Sequence, residues 1–354
     1  MSNQKFKFID LFAGIGGFRI AFESAGGECV FSSEINKFAR HTYTANYHKE
    51  TIHWKDAEKI DNHEELFGDI RKVDIEKDIP DFDILAAGFP CPTFSLAGVS
   101  KRNSLGRKHG FDDEEKGQLF FEIVKILKAK QPKGFLLENV KNLVNHNKGQ
   151  TFEIIKNTLN DLGYDISFKV FDAAKLVPQH RERILIAGFR KDLQIDFDLS
   201  ELEIKDRKPK LKDILEDEVD DKYFISEKLW DYLKAYKEKH RKRGNGFGFS
   251  IADKEGVTRT MSARYHKDGS EILIDEGRDT PRMLTEKEAS KLFGFQEEYQ
   301  KLYGEEFEIP VSKTQAYQQF GNSVCVPLVR IVAENMMQAF FQQSKSEMKE
   351  AVNL

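Results

Sequence analysis

The chain has 354 residues, 40% of them hydrophobic and 32% charged, with a formal net charge of −4. Those proportions exclude a fibre and a disordered chain, and they suit one large globular domain with a smaller companion. No apolar run approaches the length of a membrane span, and the opening residues lack the apolar region and cleavage site of a signal peptide, so a cytoplasmic protein without a membrane partner is expected.

From residue 6 to about 190, short β-rich runs alternate with amphipathic helical segments. This is the pattern of an α/β domain, a doubly wound and mostly parallel sheet with helices on both faces. Strands are predicted at 6–11, 29–31, 83–87, 135–137 and 184–187. Leu119, Phe120, Ile123, Val124 and Leu127 give one helical face that stops before Pro132, and Phe152, Ile155, Leu159 and Leu162 give another that stops at Gly163. From 191 to 285 the pattern gives way to charged, irregular sequence with pieces such as GNGFGFS, read as a second, smaller domain. Residues 286–354 are expected to return to the first domain, with 324–341 helical in period. Basic runs at 101–109, 207–212 and 237–243 stand out from the acidic average, although each alone is best read as a solvated face.

In an open parallel sheet ligands bind beyond the carboxyl ends of the strands, so the residues just past each strand are the first candidates for a site. The first strand runs into FAGIGG, where Gly14, Gly16 and Gly17 permit a tight turn and a close approach of backbone to a ligand. Glu34 comes after the second strand, 20 residues beyond Gly14, placed to accept hydrogen bonds from the two ribose hydroxyls of an adenosine-containing cofactor. The glycines are fewer than in the dinucleotide fingerprint, which argues against a pyrophosphate cradle. Asp69, in GDI, is a candidate acceptor for an adenine amine.

The three cysteines fit neither a disulfide framework nor a zinc site, so free thiols and no metal are expected. Cys29 and Cys325 read as buried structural residues. Cys91 sits in the Gly-Pro-rich loop GFPCPTFS after the third predicted strand, ahead of a basic segment that can stabilise a thiolate. Glu138 ends the strand in FLLENV, where partial desolvation favours its protonated form and suits a donor to a base. Gln179, Arg181 and Arg183, in QHRER, enter the next strand on one face.

FAGIGGFR, GDI, GFPCPTFS, ENV, QHRER and QQFGNSV, in this order, resemble the ordered motifs of the DNA cytosine-5 methyltransferase family, over nearly the whole chain. Its second domain resembles that of the bacterial enzymes that methylate the inner cytosine of CCWGG or CCNGG, through SLAGVSKRNSLGRKHGF, GNGFGF, VTRTMSARYHKDGSEILI and IPVSKTQAYQQFGNSV. The resemblance implies a Rossmann-like S-adenosylmethionine-dependent methyltransferase core with a target-recognition domain. It also implies a catalytic set in which Cys91 attacks carbon 6 of a flipped cytosine, Glu138 holds N3 and the exocyclic amine, and Arg183 contacts O2. S-adenosylmethionine, released as S-adenosylhomocysteine, would be held by Phe12, Gly14, Ile15, Gly16, Glu34, Ile35, Asp69, Ile70, Pro90, Leu119 and Asn322, with Phe12 and Ile35 sandwiching adenine. Two positions depart from the family's habit: Ile35, often Trp, offers less stacking area, and Pro92 replaces the usual Gln.

The chemistry needs a base outside the helix. Residues 94–111, with Ser95, Lys101, Arg102, Arg107 and Lys108, suit a lid that clamps phosphates. Gln179, Arg181, Arg259, Arg264, Tyr265, His266 and Lys267 are the expected contacts to bases or phosphates of double-stranded DNA. An RNA cytosine-5 methyltransferase and a non-catalytic regulator binding DNA or the cofactor are the competing readings. A monomer suffices for one flipped base, and a partner restriction endonuclease is left open.

Overall fold

The computed structural model describes residues 5–48, 62–63, 66–90 and 111–352. Cys91, Pro92 and the lid residues Ser95, Lys101, Arg102, Arg107 and Lys108 lie outside these described residues.

Strand β1 (Phe6–Leu11) pairs in parallel with β2 (Gly27–Ser33) and with β5 (Ile84–Gly88), and β5 pairs in parallel with β6 (Gly134–Val140). Short strands β3 (Asn62–His63) and β4 (Leu66–Phe67) extend the β2 side. Along the other edge, β8 (Glu182–Arg190) runs antiparallel to β6 and to β7 (Tyr164–Asp172), giving the order β3-β4-β2-β1-β5-β6-β8-β7. A strand at 184–187 was expected, but neither its direction nor β7 was. Only residues 173–181 separate the two strands, fewer than a parallel crossover requires, so the chain must fold back as a hairpin. β7 is half-exposed along most of its length at the sheet edge, which leaves it without an apolar signature.

Alternation of side chains sorts the strands onto two faces. Ile84, Ala86, Leu136, Leu185 and Ala187 point into a layer with Phe18 and Phe22 of helix α1 (Gly17–Ser24) and with Leu328, Val332 and Met336 of the C-terminal helix. Ile9, Leu85, Ala87, Leu137 and Ile186 point into the other layer. There they meet Phe120, Ile123 and Leu127 of helix α4 (Phe111–Lys130) and Phe152, Ile155 and Leu159 of α5 (Gln150–Asp161). Between α1 and α4 in the chain lie α2 (Lys37–Tyr47), capped by Asn36, and the short α3 (Ile75–Asp78). The expected stops hold: α4 ends ahead of Pro132, and α5 ends ahead of Gly163, whose φ is +90°.

A third core gathers Leu211, Ile225, Met261, Tyr265 and Ile272 to Ile274 with Leu233 of α6 (Glu227–Lys242). The same core contains Leu292, Phe295 and Tyr317 from helices α7 (Glu286–Leu292), α8 (Phe295–Tyr303) and α9 (Lys313–Asn322). Residues 286–322 therefore pack both with the segment that precedes them and with Ile20 of α1 and Ala39 of α2. Rings of Tyr265 and Tyr317 lie 5.0 Å apart, and the wholly buried Arg282 meets Glu288 at 2.8 Å. Helix α10 (Val326–Val352) packs on the sheet itself. The stretch Lys313–Gln343 is long and apolar enough to cross a membrane, against the expectation from sequence; it is broken into α9 and α10 and mostly buried, as a core helix pair must be.

Candidate active site

The carboxyl ends of β1, β2, β5 and β6 open onto a cleft of about 460 Å³, a volume suited to a nucleoside-sized ligand. Its first wall is the turn after β1. Phe12 and Gly14 adopt φ of +56° and +57°, and the N–H of Ala13 donates to Ser33 O at 2.9 Å, which ties the turn to the end of β2. Glu34, the residue after β2, accepts from Gly14 N at 2.8 Å through one carboxylate oxygen and from Asn36 N at 2.7 Å through the other. Burial pushes its carboxyl above the usual range, and the N–H groups of Asn36 and Gly14 act against that shift. Each oxygen keeps a lone pair for a ligand hydroxyl.

Among the described residues beyond its chain neighbours, Gly14 has no atom within 4 Å of where a Cβ would stand, and it lines the cleft. Gly16 is different. A Cβ there would meet the Tyr47 ring at 2.3 Å, while the Tyr47 hydroxyl donates to Gly16 O at 3.1 Å and to Ile15 O at 3.3 Å. Its glycine serves packing beneath the turn, away from the cleft.

The second wall comes from β5, β6 and β8. Gly88 pairs in register with Glu138, and the chain passes Phe89 and Pro90, both lining the cleft, one residue short of Cys91. Asn139, buried, donates to Phe89 O at 2.9 Å and so fixes the backbone from which that loop departs. Because β8 runs antiparallel, its first residues lie at the same edge as the ends of the parallel strands. Arg183 there meets Glu138 Oε1 at 2.9 Å through Nε. Burial raises the Glu138 carboxyl above its usual range, with Arg183 and Arg181 pulling the other way. The result is a carboxyl that takes up a proton more readily than in water.

Helix α9 closes the cleft with Gln315, Gln318 and Gln319, followed by Asn322 and Ser323. Gln319 accepts from the Thr42 hydroxyl at 3.0 Å, which leaves its amide nitrogen, buried, without a hydrogen-bond partner among the described residues. Only Asn322 of this group was picked from the sequence; the glutamines were visible in QAYQQFGNSV, but helical spacing alone does not say which face meets a ligand.

Of the expected cofactor residues, Phe12, Gly14, Ile15, Glu34, Pro90 and Asn322 line the cleft. Gly16, Ile35, Asp69, Ile70 and Leu119 are not among its lining residues. Ile35 is 63% exposed, between the lining residues Glu34 and Asn36. Ile70 is buried in the sheet core and Leu119 packs beside it. Asp69 is gripped by its neighbour Arg71 at 2.8 Å, which holds its carboxyl below the usual range.

Three of the expected DNA contacts are buried. Gln179 is wholly buried, donating to Leu292 O at 2.9 Å and accepting from Met261 N. Arg181, 2% exposed, lines the cleft beside Arg183 while donating to the carbonyls of Met261, Gly321 and Ser323 and stacking over Phe293 at 4.8 Å. Tyr265 is wholly buried, with its hydroxyl donating to Ile272 O and accepting from Leu284 N. Gln179 and Arg181 tie the entry of β8 to the third core, and Tyr265 lies inside that core. Arg259, Arg264 and Lys267 are exposed, and His266 is half-buried against the cleft-lining Gln318 at 3.4 Å.

Comparison with known proteins bears on this arrangement. Residues 6–338 match the family model described as C-5 cytosine-specific DNA methylase. The chain is similar to the DNA-cytosine methyltransferase of Escherichia coli (strain K12), 46% identical over 366 residues, covering 93% of this chain and 77% of that protein. It is 47% identical over 345 residues to the type II methyltransferase M1.ScrFI of Lactococcus lactis subsp. cremoris, covering 96% and 80%. Its fold is similar to that of the S. pombe Dnmt2 methyltransferase, with TM-score 0.69 at 17% identity over 95% and 99% of the two chains. The Entamoeba histolytica methyltransferase EhMeth gives TM-score 0.67 at 19% identity, covering 95% and 99%.

Proposed function

The chain belongs to the C-5 cytosine-specific DNA methylases, and from that premise we propose that it methylates a flipped cytosine in double-stranded CCWGG or CCNGG sites through a covalent bond to Cys91. S-adenosylmethionine-dependent transfer to carbon 5 is the family's reaction; the sequence site, the adduct and the residue roles are our reading.

The observation that carries it is the Glu138–Arg183 pair, at 2.9 Å, in the same cleft as the Gly14–Glu34 turn. Residues present suit the cofactor. The Glu34 oxygens suit ribose hydroxyls, the open space over Gly14 admits close approach, and the Gln319 amide nitrogen, without a partner among the described residues, offers with Asn322 donors for a carboxylate. Ile35, exposed beside Glu34, and Phe12 are assigned to the adenine faces; Asp69 needs Arg71 to share it before it can accept from an amine. When bound, S-adenosylmethionine supplies an electrophilic methyl group and leaves as S-adenosylhomocysteine.

Cys91 sulfur bonds to carbon 6, and the C5–C6 electron pair becomes available to take the methyl group at carbon 5. Glu138, protonated, donates to N3 as negative charge develops on the ring and accepts from the exocyclic amine. Arg183 turns its remaining guanidinium donors to O2. The carbon-5 proton then passes to a base, the C6–S bond breaks and the ring regains aromaticity. Glu138 exchanges its ion pair with Arg183 for the cytosine edge when the base arrives. Arg259, Arg264, His266 and Lys267 remain as readers or phosphate contacts. We further assign the enzyme to the bacterial cytoplasm as a monomer, with a restriction endonuclease as its functional counterpart, as for type II enzymes.

Bisulfite sequencing of genomic DNA after incubation with protein and S-adenosylmethionine tests the reaction and the site together. Protection confined to one context, the inner cytosine of CCWGG or CCNGG, is expected. A Cys91→Ser protein as active as the parent, or the lack of a covalent complex with a fluorinated cytosine duplex, refutes the adduct. Methylation of tRNA but not of duplex DNA refutes the substrate.

A further inference from the structure

GNGFGF and the basic run at 237–243 take no part in the cleft, yet they form an ordered surface. Helix α6 exposes Tyr232 (59%) and Tyr236 (36%), and the loop beyond it exposes Phe247 (64%). With His240 these rings make a continuous ladder: Tyr232 to Tyr236 6.0 Å, Tyr236 to His240 4.3 Å, His240 to Phe247 5.5 Å. Large apolar side chains gathered in solvent usually mark a contact surface.

The loop is built to present Phe247. Phe249, two residues on, turns inward to Trp230 at 4.6 Å and lies under Lys237 Nζ at 4.2 Å. Gly248, at φ +137°, lets the backbone rest on Lys237, where a Cβ would stand 2.9 Å from the Lys237 Cβ. Arg259 Nη1 reaches Gly248 O at 3.4 Å, and its neighbour Thr258 accepts from His180 N at 2.9 Å, three residues before Arg183. These bonds tie the loop that carries Phe247 to the segment that enters β8.

Cations flank the rings. Lys239, Arg241, Lys242 and Arg243 are all exposed at the end of α6, and Glu238 pairs with Arg241 at 2.9 Å. Lys239 and Arg243 form no ion pair among the described residues. In a two-fold dimer this patch would face its own copy, setting cations against cations. Phosphate is the complementary charge.

We propose that this face docks the sugar-phosphate backbone of duplex DNA flanking the methylated site, with the cations on phosphates and the rings on deoxyribose. The proposal rests on the functional reading above and adds a surface outside the cleft.

Fluorescence anisotropy of the full chain across a salt series tests it, using a long duplex with one target site, the same duplex without it, and a short duplex trimmed to the site. Replacing Lys239 and Arg243 by Ala should weaken both long duplexes alike and reduce the slope of log affinity against log salt by about 1 for each cation removed. Tyr232→Ala with Phe247→Ala should weaken them several-fold at unchanged slope, and the trimmed duplex should bind all proteins equally. Parent-like binding by both variants overturns the inference, even where the parent methylates genomic DNA. Variants that only abolish a concentration-dependent rise in sedimenting mass overturn it in favour of a second copy of this chain. Failure of the parent to methylate overturns the functional reading instead.

Discussion

Alanine at Gly16 and alanine at Gly14 should separate a glycine that serves the fold from one that serves the ligand. At Gly16, φ is +84°, and an L side chain in left-handed backbone costs about 1–2 kcal/mol. The added methyl would also stand 2.3 Å from the Tyr47 ring. That ring cannot swing aside, being packed on Tyr43 at 4.6 Å, on Tyr299 at 6.0 Å, on Tyr303 at 6.1 Å and under the Arg19 guanidinium at 4.8 Å. Overpacking of this kind adds about 1–3 kcal/mol, so Gly16→Ala should lose roughly 2–5 kcal/mol of stability. At Gly14, with φ +57° and nothing within 4 Å among the described residues, only the backbone cost of about 1–2 kcal/mol applies, and the methyl intrudes on the cleft. Urea unfolding and calorimetric titration with S-adenosylhomocysteine should show the two losses reversed: the greater loss of stability at Gly16, the greater loss of affinity at Gly14. A Gly16→Ala protein that unfolds at the parent's midpoint would refute the packing argument, and a Gly14→Ala protein that binds like the parent would refute the assignment of that space to a ligand.

Arg181→Met should cost about 3–5 kcal/mol in urea unfolding, because three buried carbonyls lose a charged donor. The salt slope of DNA binding should stay unchanged; a lower slope would restore Arg181 to the DNA contacts. For Glu138, whose folded carboxyl is raised by burial, the stability linked to protonation is complete below the ordinary glutamate range and is lost as pH rises through the folded value. Glu138→Gln should therefore gain stability relative to the parent across that window, and a pH-independent difference would show that the carboxyl is not raised. Cys29 and Cys325 are buried, their thiols pushed up to about 11 and about 12, so iodoacetamide should leave both unmodified in the folded protein. Inactivation should track alkylation of Cys91, as read by peptide mass; modification of Cys325 first would contradict the packing described.

The sequence by itself determined the strand ends. FAGIGG, Glu34, GFP, ENV and the start of the last strand each lie at the end of an apolar run or the beginning of one, and an open sheet brings such points to one edge whatever the details of packing. Gly14, Glu34, Glu138 and Arg183 were legible for that reason, and they meet in one cleft. Helix stops at Pro132 and Gly163 were legible because backbone geometry is local. Tertiary structure decided what local pattern does not encode. QHRER shows two arginines that line the cleft, one that meets Glu138 and another anchored on carbonyls of residues 261, 321 and 323, and only packing across the third core sets those different partners. Tyr265 carries a polar handle that looks equally apt for a base or for a buried carbonyl, and burial chose the carbonyl. The antiparallel hairpin of β7 and β8 depended on a short connection and on pairing partners distant in sequence, and it is this reversal that delivers Arg183 to the edge where the parallel strands end.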